Sequence, residues 1–298
     1  MKRTKQPKTP SAILSGDWHI REDTPECRTD DFWNVQYRKL HHIAKLQRQY
    51  QCPIYFSGDM FHHWKASPIL LSMFFKLFHS NMDWEDFAVF GNHDLPQHSL
   101  ELREKSGLRT LIEARAFTEL DQAHWGQEPT EPSILIPHKE RSVLVWHVMT
   151  WRGEEPWPGC VDLEAKDILK KYPQYDLIVT GHNHKPFIEE YKGRLLVNPG
   201  SITRQKANET HNPRVYLWYA DINEVVPYTL PHDTAENVIT RKHLERKEKN
   251  EQRYEAVINK LKEETTPEIS FRHNLIEHCK KNKISQEEQD LIWKNMEE

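Results

Sequence analysis

The stretch Phe87-Ala88-Val89-Phe90-Gly91-Asn92-His93-Asp94 decides how this chain is read. Four apolar residues run straight into a glycine and then into three side chains able to bind metal or move protons. A short apolar run closed by a glycine reads as a buried strand ending in a turn. Working outward, the same arrangement recurs. Ala12-Ile13-Leu14 leads to Asp17 and His19, and Pro53-Ile54-Tyr55-Phe56 leads to Gly58-Asp59. Val143-Leu144-Val145-Trp146 leads to His147, and Leu177-Ile178-Val179 to Gly181-His182-Asn183-His184. Polar residues gather at the C-terminal ends of such strands because there the chain enters loops that converge over one crevice.

Helical patterns lie between the runs. Asp30 or Asp31 caps a helix running to about Tyr50, with Trp33, Leu40, Ile43, Ala44 and Leu46 facing inward. Ser67-Pro68 opens a second helix to about His79, serine as N-cap and proline at the first helical position. Leu195-Leu196-Val197 and Arg214 to Tyr219 read as further strands with no helix between them. Alternation followed by strand after strand predicts an α/β core carrying a second, partly antiparallel sheet. The composition shifts near His232. Lys, Arg and Glu dominate 241–264, with Tyr254, Val257, Ile258 and Leu261 at helical spacing, and Thr265-Thr266-Pro267 breaks the pattern. Short helices follow around Phe271 to Cys279 and from the capping box Ser285…Glu288. The organisation read is a basic tail at 1–10, a catalytic domain at 11–232 and a charged helical extension at 233–298.

The rest of the composition narrows the class. The 298 residues are 37% hydrophobic and 29% charged, and 10% aromatic content argues against wholesale disorder. No apolar run approaches the ~18 residues of a membrane span, so no membrane is expected as a partner. The opening MKRTKQPKTP has no apolar segment behind it and is no secretory signal. A net charge of −4 excludes a generally basic nucleic-acid binder, though not a local basic groove. The four cysteines are scattered without a C-x-x-C pair, as in a reduced cytoplasmic chain rather than a disulfide scaffold or zinc finger.

Mixed His, Asp and Asn donors suit Mn²⁺, Fe²⁺ or Zn²⁺ better than Mg²⁺ or Ca²⁺, which prefer oxygen alone. Two such ions ~3.5–4 Å apart need a carboxylate between them and neutral donors around them. The D-x-H and G-D pairs carry no weight singly. GNHD arises by chance in on the order of one such chain in a thousand, and all five clusters in order are far rarer.

On these residues the sequence resembles the calcineurin-like metallophosphoesterases, whose series D-x-H, G-D, G-N-H-[DE], H and G-H-x-H is matched from Asp17 to His184. The resemblance implies a four-layer α-β-β-α sandwich of two mixed sheets. It implies two divalent ions, Mn²⁺ foremost with Fe²⁺ or Zn²⁺ as alternatives, one on Asp17, His19 and His184, the other on Asn92, His147 and His182. Asp59 would bridge them. It further implies in-line attack on phosphorus by a metal-activated hydroxide, with His93 protonating the leaving alkoxide. Asp94 would either hold the His93 ring or terminate the turn.

The segment Gly58-Asp59-Met60-Phe61-His62-His63 lacks the Arg-Gly of protein phosphatases and looks like the GDLFH of recombination-repair nucleases of the SbcD type. There the histidine at the position of His62 assists at the leaving group. Asp17-Trp18-His19-Ile20 and Arg28-Thr29-Asp30-Asp31-Phe32 resemble the same family. Trp18, Trp64, Trp151 and Trp157 lie near motifs, where a tryptophan either stacks on a nucleobase or packs in a core. Lys65, Arg152, Lys185, Arg204 and Lys206 flank motifs and would meet phosphates or simply be solvated. Asn198-Pro199-Gly200-Ser201 resembles the NPGS turn of bacterial phosphodiesterases, and the backbone amides of this turn would approach substrate, with Asn198 and Ser201 as its contacts. The nuclease family carries a larger capping domain than the residues after His232 supply. The helical tail would dock an ABC-type ATPase or act as a stabilising appendage. The functional reading is a DNA nuclease, with a phosphatase or small-nucleotide phosphodiesterase as alternative and a non-catalytic scaffold least favoured, because no expected ligand is missing. No oligomeric state is read from the sequence.

Overall fold

The computed structural model describes residues 9–78, 85–136, 139–264 and 271–296. Most of the basic tail, the helix end at His79 and the break at Thr265-Thr266-Pro267 lie outside the described residues. The chain divides into two compact units, residues 1–239 and 240–298.

The first unit holds strands β1 (Ala12–Ser15), β2 (Ile54–Phe56), β3 (Phe87–Ala88), β4 (Thr118–Glu119), β5 (Ile134–Ile136) and β6 (Arg141–Trp146). They are followed by β7 (Leu177–Thr180), β8 (Phe187–Tyr191), β9 (Arg194–Asn198), β10 (Arg214–Tyr219) and β11 (Glu224–Thr229). One sheet runs β11-β10-β1-β2-β3-β4 and the other β5-β6-β7-β9-β8. Both are mixed. β1 pairs parallel to β2 but antiparallel to β10, and β9 pairs parallel to β7 but antiparallel to β8.

The layers follow from the period of two along each strand. Ala12 and Leu14 of β1, Val143 and Val145 of β6, Leu177 and Val179 of β7, and Tyr216 and Trp218 of β10 form one buried cluster between the sheets. The alternate residues Ile13, Ile54, Phe56 and Leu217 face outward into a cluster with helices α1 (Phe32–Tyr50) and α2 (Pro68–Phe78). Leu144, Ile178 and Leu196 face the other way, onto the helix Ala165–Lys171. The result is the four-layer α-β-β-α sandwich. Asp31, not Asp30, caps α1, its carboxylate accepting from Asn34 N at 3.1 Å. Asp30 is spent on Arg28, accepting from Nε at 2.8 Å.

Two readings shift. β3 stops at Ala88, short of the expected Phe90, because Phe90 N donates to His124 Nδ1 at 2.9 Å and its carbonyl accepts from Trp125 N at 2.9 Å. Strands β4, β8 and β11 are not continuous apolar runs and escape a search for one, whereas β5 is the run Ile134-Leu135-Ile136, which the sequence reading passed over; β4 and β5 are only two or three residues long.

The second unit contains helices Lys242–Glu264, Phe271–Lys281 and Gln286–Lys294. Its small core is Leu275 and Cys279, packed against Val257, Ile284, Ile292 and Trp293. Both halves of the Ser285–Glu288 capping box are present. No helix among the described residues is long and apolar enough to cross a membrane.

Candidate metal centre

The loops leaving β1 and β2 run on side by side after the strands end. Asp17 N donates to Gly58 O at 2.9 Å, His19 N to Asp59 O at 3.0 Å and Ile20 N to Met60 O at 3.0 Å. Asp17, His19, Asp59 and His182 all have positive φ, between 45° and 74°. Non-glycine residues rarely occupy that region, and such strain persists where surrounding bonds over-determine it, commonly at functional sites. Gly58 and Gly91 let the turns close on one another. A Cβ on Gly91 would lie 2.1 Å from Asp59 Oδ1, and one on Gly58 2.5 Å from His147 Nδ1.

Asp94 fixes this junction. Its carboxylate accepts from Asp59 N at 2.7 Å and from Met60 N and Gly91 N at 2.9 Å each. Burial pushes its pKa up to about 7 against the opposing pull of those N–H groups. It therefore ties two loops together and does not hold the His93 ring. His93 Nδ1–H instead donates to the carbonyl of His62 at 2.7 Å.

Around Asp59 the expected ligands converge in two groups. Asp59 Oδ2 lies 3.4 Å from His19 Nε2 and 3.5 Å from His147 Nε2. On one side, Asp17, His19 and His184 offer ligand atoms within 4.8 Å of one another, with His184 Nε2 3.0 Å from His19 Nε2. On the other, Asn92 Oδ1 lies 3.1 Å from His147 Nε2 and 2.9 Å from His182 Nδ1.

These donors fit cations. His147 Nδ1–H donates to Ser57 O at 2.6 Å, so its Nε2 presents a lone pair toward Asn92 Oδ1 and Asp59 Oδ2, which are acceptors too. Facing acceptors with no proton between them call for a positive charge. Asp17 Oδ2 and His19 Nδ1 are buried without a hydrogen-bond partner. Burial, and for Asp59 also the neighbouring Asp94 and Asp17 carboxylates, raises the carboxyl pKa values, Asp17 to about 6 and Asp59 well above the usual range. Burial and neighbouring histidines hold His19 and His147 well below theirs, and burial brings His182 to about 4. Neutral imidazoles and costly buried carboxylates are what a divalent ion relieves.

His184 is the exception. Burial lowers its proton affinity, but the Nδ1–H bond to Glu209 Oε1 at 2.7 Å and the Asp17 charge raise it overall. His62 is placed unexpectedly. Arg21 Nη1 donates to its Nε2 at 3.0 Å, which leaves the His62 proton on Nδ1. Burial, then the Arg21 charge, lowers its pKa to about 4.

Several expected substrate contacts are corrected. Trp18 is fully buried, donates Nε1–H to Ser15 Oγ at 2.7 Å and stacks on Phe78, so it is core. Asn198 and Ser201 are also buried. Gly200 N donates to Asn198 Oδ1, Ser201 N to His184 O and Ser201 Oγ to Thr203 O, so these side chains and amides build their turn rather than face substrate. Arg204 is buried too, donating to the carbonyls of His211 and Asp233. Trp151 is half-buried with Nε1–H on Asp162 O, and Trp64 is half-buried beside His63. Trp157 alone of these four tryptophans is exposed, at 49%, and lines an open cavity of about 530 Å³ beside His182 and His184.

Sequence reasoning missed Glu209, Arg21, Gln205 and Trp125. Trp125 stacks on His182 with centroids 4.7 Å apart, and Gln205 Nε2 donates to His19 O at 3.0 Å. Glu209, Gln205 and Trp125 do not belong to the five strand-end clusters, and Arg21, two residues past His19, is not a metal-binding type, so the pattern was silent on all four.

The sandwich and its clustered Asp, Asn and His side chains define a metallophosphoesterase architecture. Residues 35–219 match the model of the calcineurin-like phosphoesterase superfamily domain, and the chain belongs to that superfamily. Its members typically use two metal ions. The match begins after Asp17 and His19, which the fold nevertheless brings to the same centre. No curated protein matches the sequence. Solved structures similar to it include a novel archaeal phosphodiesterase, 16% identical over 74% of this chain and 99% of that one, TM-score 0.41. Vps29 of Entamoeba histolytica in complex with zinc is 17% identical over 73% and 91%, TM-score 0.38. TT1561 of Thermus thermophilus is 9% identical over 74% and 99%, TM-score 0.45.

Proposed function

We propose that this chain is a dinuclear-metal phosphodiesterase, and specifically a nuclease acting on DNA. The observation that carries the dinuclear reading is Asp59 Oδ2, set almost equally between His19 and His147, each with its own group of donors behind it. Asp17, His19 and His184 would hold one ion and Asn92, His147 and His182 the other, Mn²⁺ being the first choice. A bound pair of divalent ions supplies an acidified water and charge neutralisation at the phosphoryl oxygens.

The chain's own residues do the rest. His62 O fixes the His93 ring by taking its Nδ1–H, which leaves Nε2 for the leaving group. Burial first, with nearby positive charge, keeps His93 neutral before substrate arrives. A phosphoester anion opposite the ring favours the protonated form and so readies it to donate. Arg21 takes up His62 Nε2, so the role assigned to His62 is to hold His93 and not to donate from that nitrogen.

The nuclease reading rests on the GDMFHH segment and on the exposed Trp157 at the edge of a cavity that also contains Lys185, Lys206 and Arg214. A base stacked on Trp157 with its phosphates among those cations describes a nucleic-acid strand. The same cavity favours, as second reading, a small-nucleotide phosphodiesterase or phosphatase. Incubation with Mn²⁺ and linear or circular DNA, single- and double-stranded, beside a chromogenic diester and a phosphomonoester separates them. DNA left intact while nucleotides or monoesters turn over rapidly sinks the nuclease reading.

A further inference from the structure

We propose that Lys206 is a phosphate-binding residue of this centre, held at its post by Glu209. The proposal rests on the phosphoesterase reading but not on DNA being the substrate. Glu209 is buried, and both of its carboxylate oxygens are committed. Oε1 accepts the His184 Nδ1–H, while Oε2 accepts from Gln205 N at 2.6 Å and from Lys206 N at 3.2 Å. The turn closes on itself through Glu209 N to Lys206 O at 3.1 Å, and Gln205 Nε2 fastens it to His19 O. Residues 205–209 are thus tied to two expected ligands, one through a side chain and one through a carbonyl.

Lys206 itself is exposed and lines the cavity beside His182 and His184. The same cavity wall carries Glu209, so the lysine opens onto the space that His182 and His184 face. Lys185 and Arg214 line the same cavity, but Lys206 is the cation whose backbone Glu209 holds; three further cations are committed elsewhere. Arg21 is paired with Asp23, Arg152 with Glu189 at 2.8 Å, and buried Lys39 donates to Ile202 O at 2.7 Å. A flexible lysine on a pinned backbone is a compact point charge able to follow a phosphoryl oxygen as it moves.

The test uses the whole chain with Mn²⁺, inorganic phosphate as calorimetric probe and bis(4-nitrophenyl) phosphate as substrate. Lys206→Met should weaken phosphate binding about 10-fold and raise KM for the diester comparably, the scale of one charge-assisted hydrogen bond. Mn²⁺ stoichiometry and melting temperature should stay as in the parent, and Lys206→Arg should stay within about threefold of it. Phosphate bound equally well by the parent and Lys206→Met overturns the proposal, as does a parent that binds no phosphate or a Lys206→Met variant that loses metal. Intact DNA in a parallel incubation would count against the nuclease reading and leave this result standing.

Discussion

Around Asp59 the two ligand groups are supported differently. His147 is fully buried and leans on a neutral backbone carbonyl, Ser57 O, while Trp125 stacks on its neighbour His182. His184 stands at the cavity and leans on a carboxylate, Glu209, that also grips the turn carrying Lys206. A carboxylate behind an imidazole makes it a more basic ligand and fixes its tautomer. Both groups reach the cavity, through His182 and His184, but only the His184 side is coupled to a surface turn.

Removing what the halves share should have the largest effect. Asp59→Asn leaves two cations facing each other across a neutral amide, and their repulsion is no longer offset. Metal analysis should find fewer than two ions per chain, with turnover near background; full occupancy and normal turnover would take Asp59 out of the bridging role. His93→Ala spares both halves. Two ions should stay bound while the rate falls ~10²–10⁴-fold, and a nitrophenyl leaving group should suffer less than an alkoxide. Equal losses for both leaving groups would show that His93 donates no proton.

Glu209→Gln separates the halves. It should weaken the binding of one ion by ~10–100-fold and leave the other unchanged, resolved as two steps in a Mn²⁺ titration. Loss of both ions together would mean that the halves are not supported independently. The smallest effect belongs to the rim. Trp157→Ala should cost single-stranded DNA binding about 1 kcal/mol, the low end for a base–aromatic stack, with the chromogenic diester untouched. A matching loss on the diester would make Trp157 structural.

The clustered Asp, Asn and His side chains were legible because each follows a buried strand, and such runs stand out in a chain of mean hydropathy −0.83. What supports them was not. Glu209 lies eight residues past Ser201 in a polar turn, and its link to His184 is a tertiary contact with no local signature. Asp94 looked like a neighbour of His93, yet the turn at Gly91 aims its carboxylate at the backbone of Asp59 and Met60. Trp18 sits between two proposed metal ligands, but the chain turns so that Asp17 and His19 face the cluster while the indole enters the α2 side of the core. Tryptophans near motifs thus divide by which way the backbone points them, which composition does not reveal.

The most direct test of a shared two-ion centre is the anomalous scattering of crystals soaked in Mn²⁺. The account predicts two peaks ~3.5–4 Å apart, one on each side of Asp59. His19, His62 and His93 also bring ligand atoms within 4.8 Å of one another. A single peak there, or one peak centred on Asp59 at full soak, would contradict it.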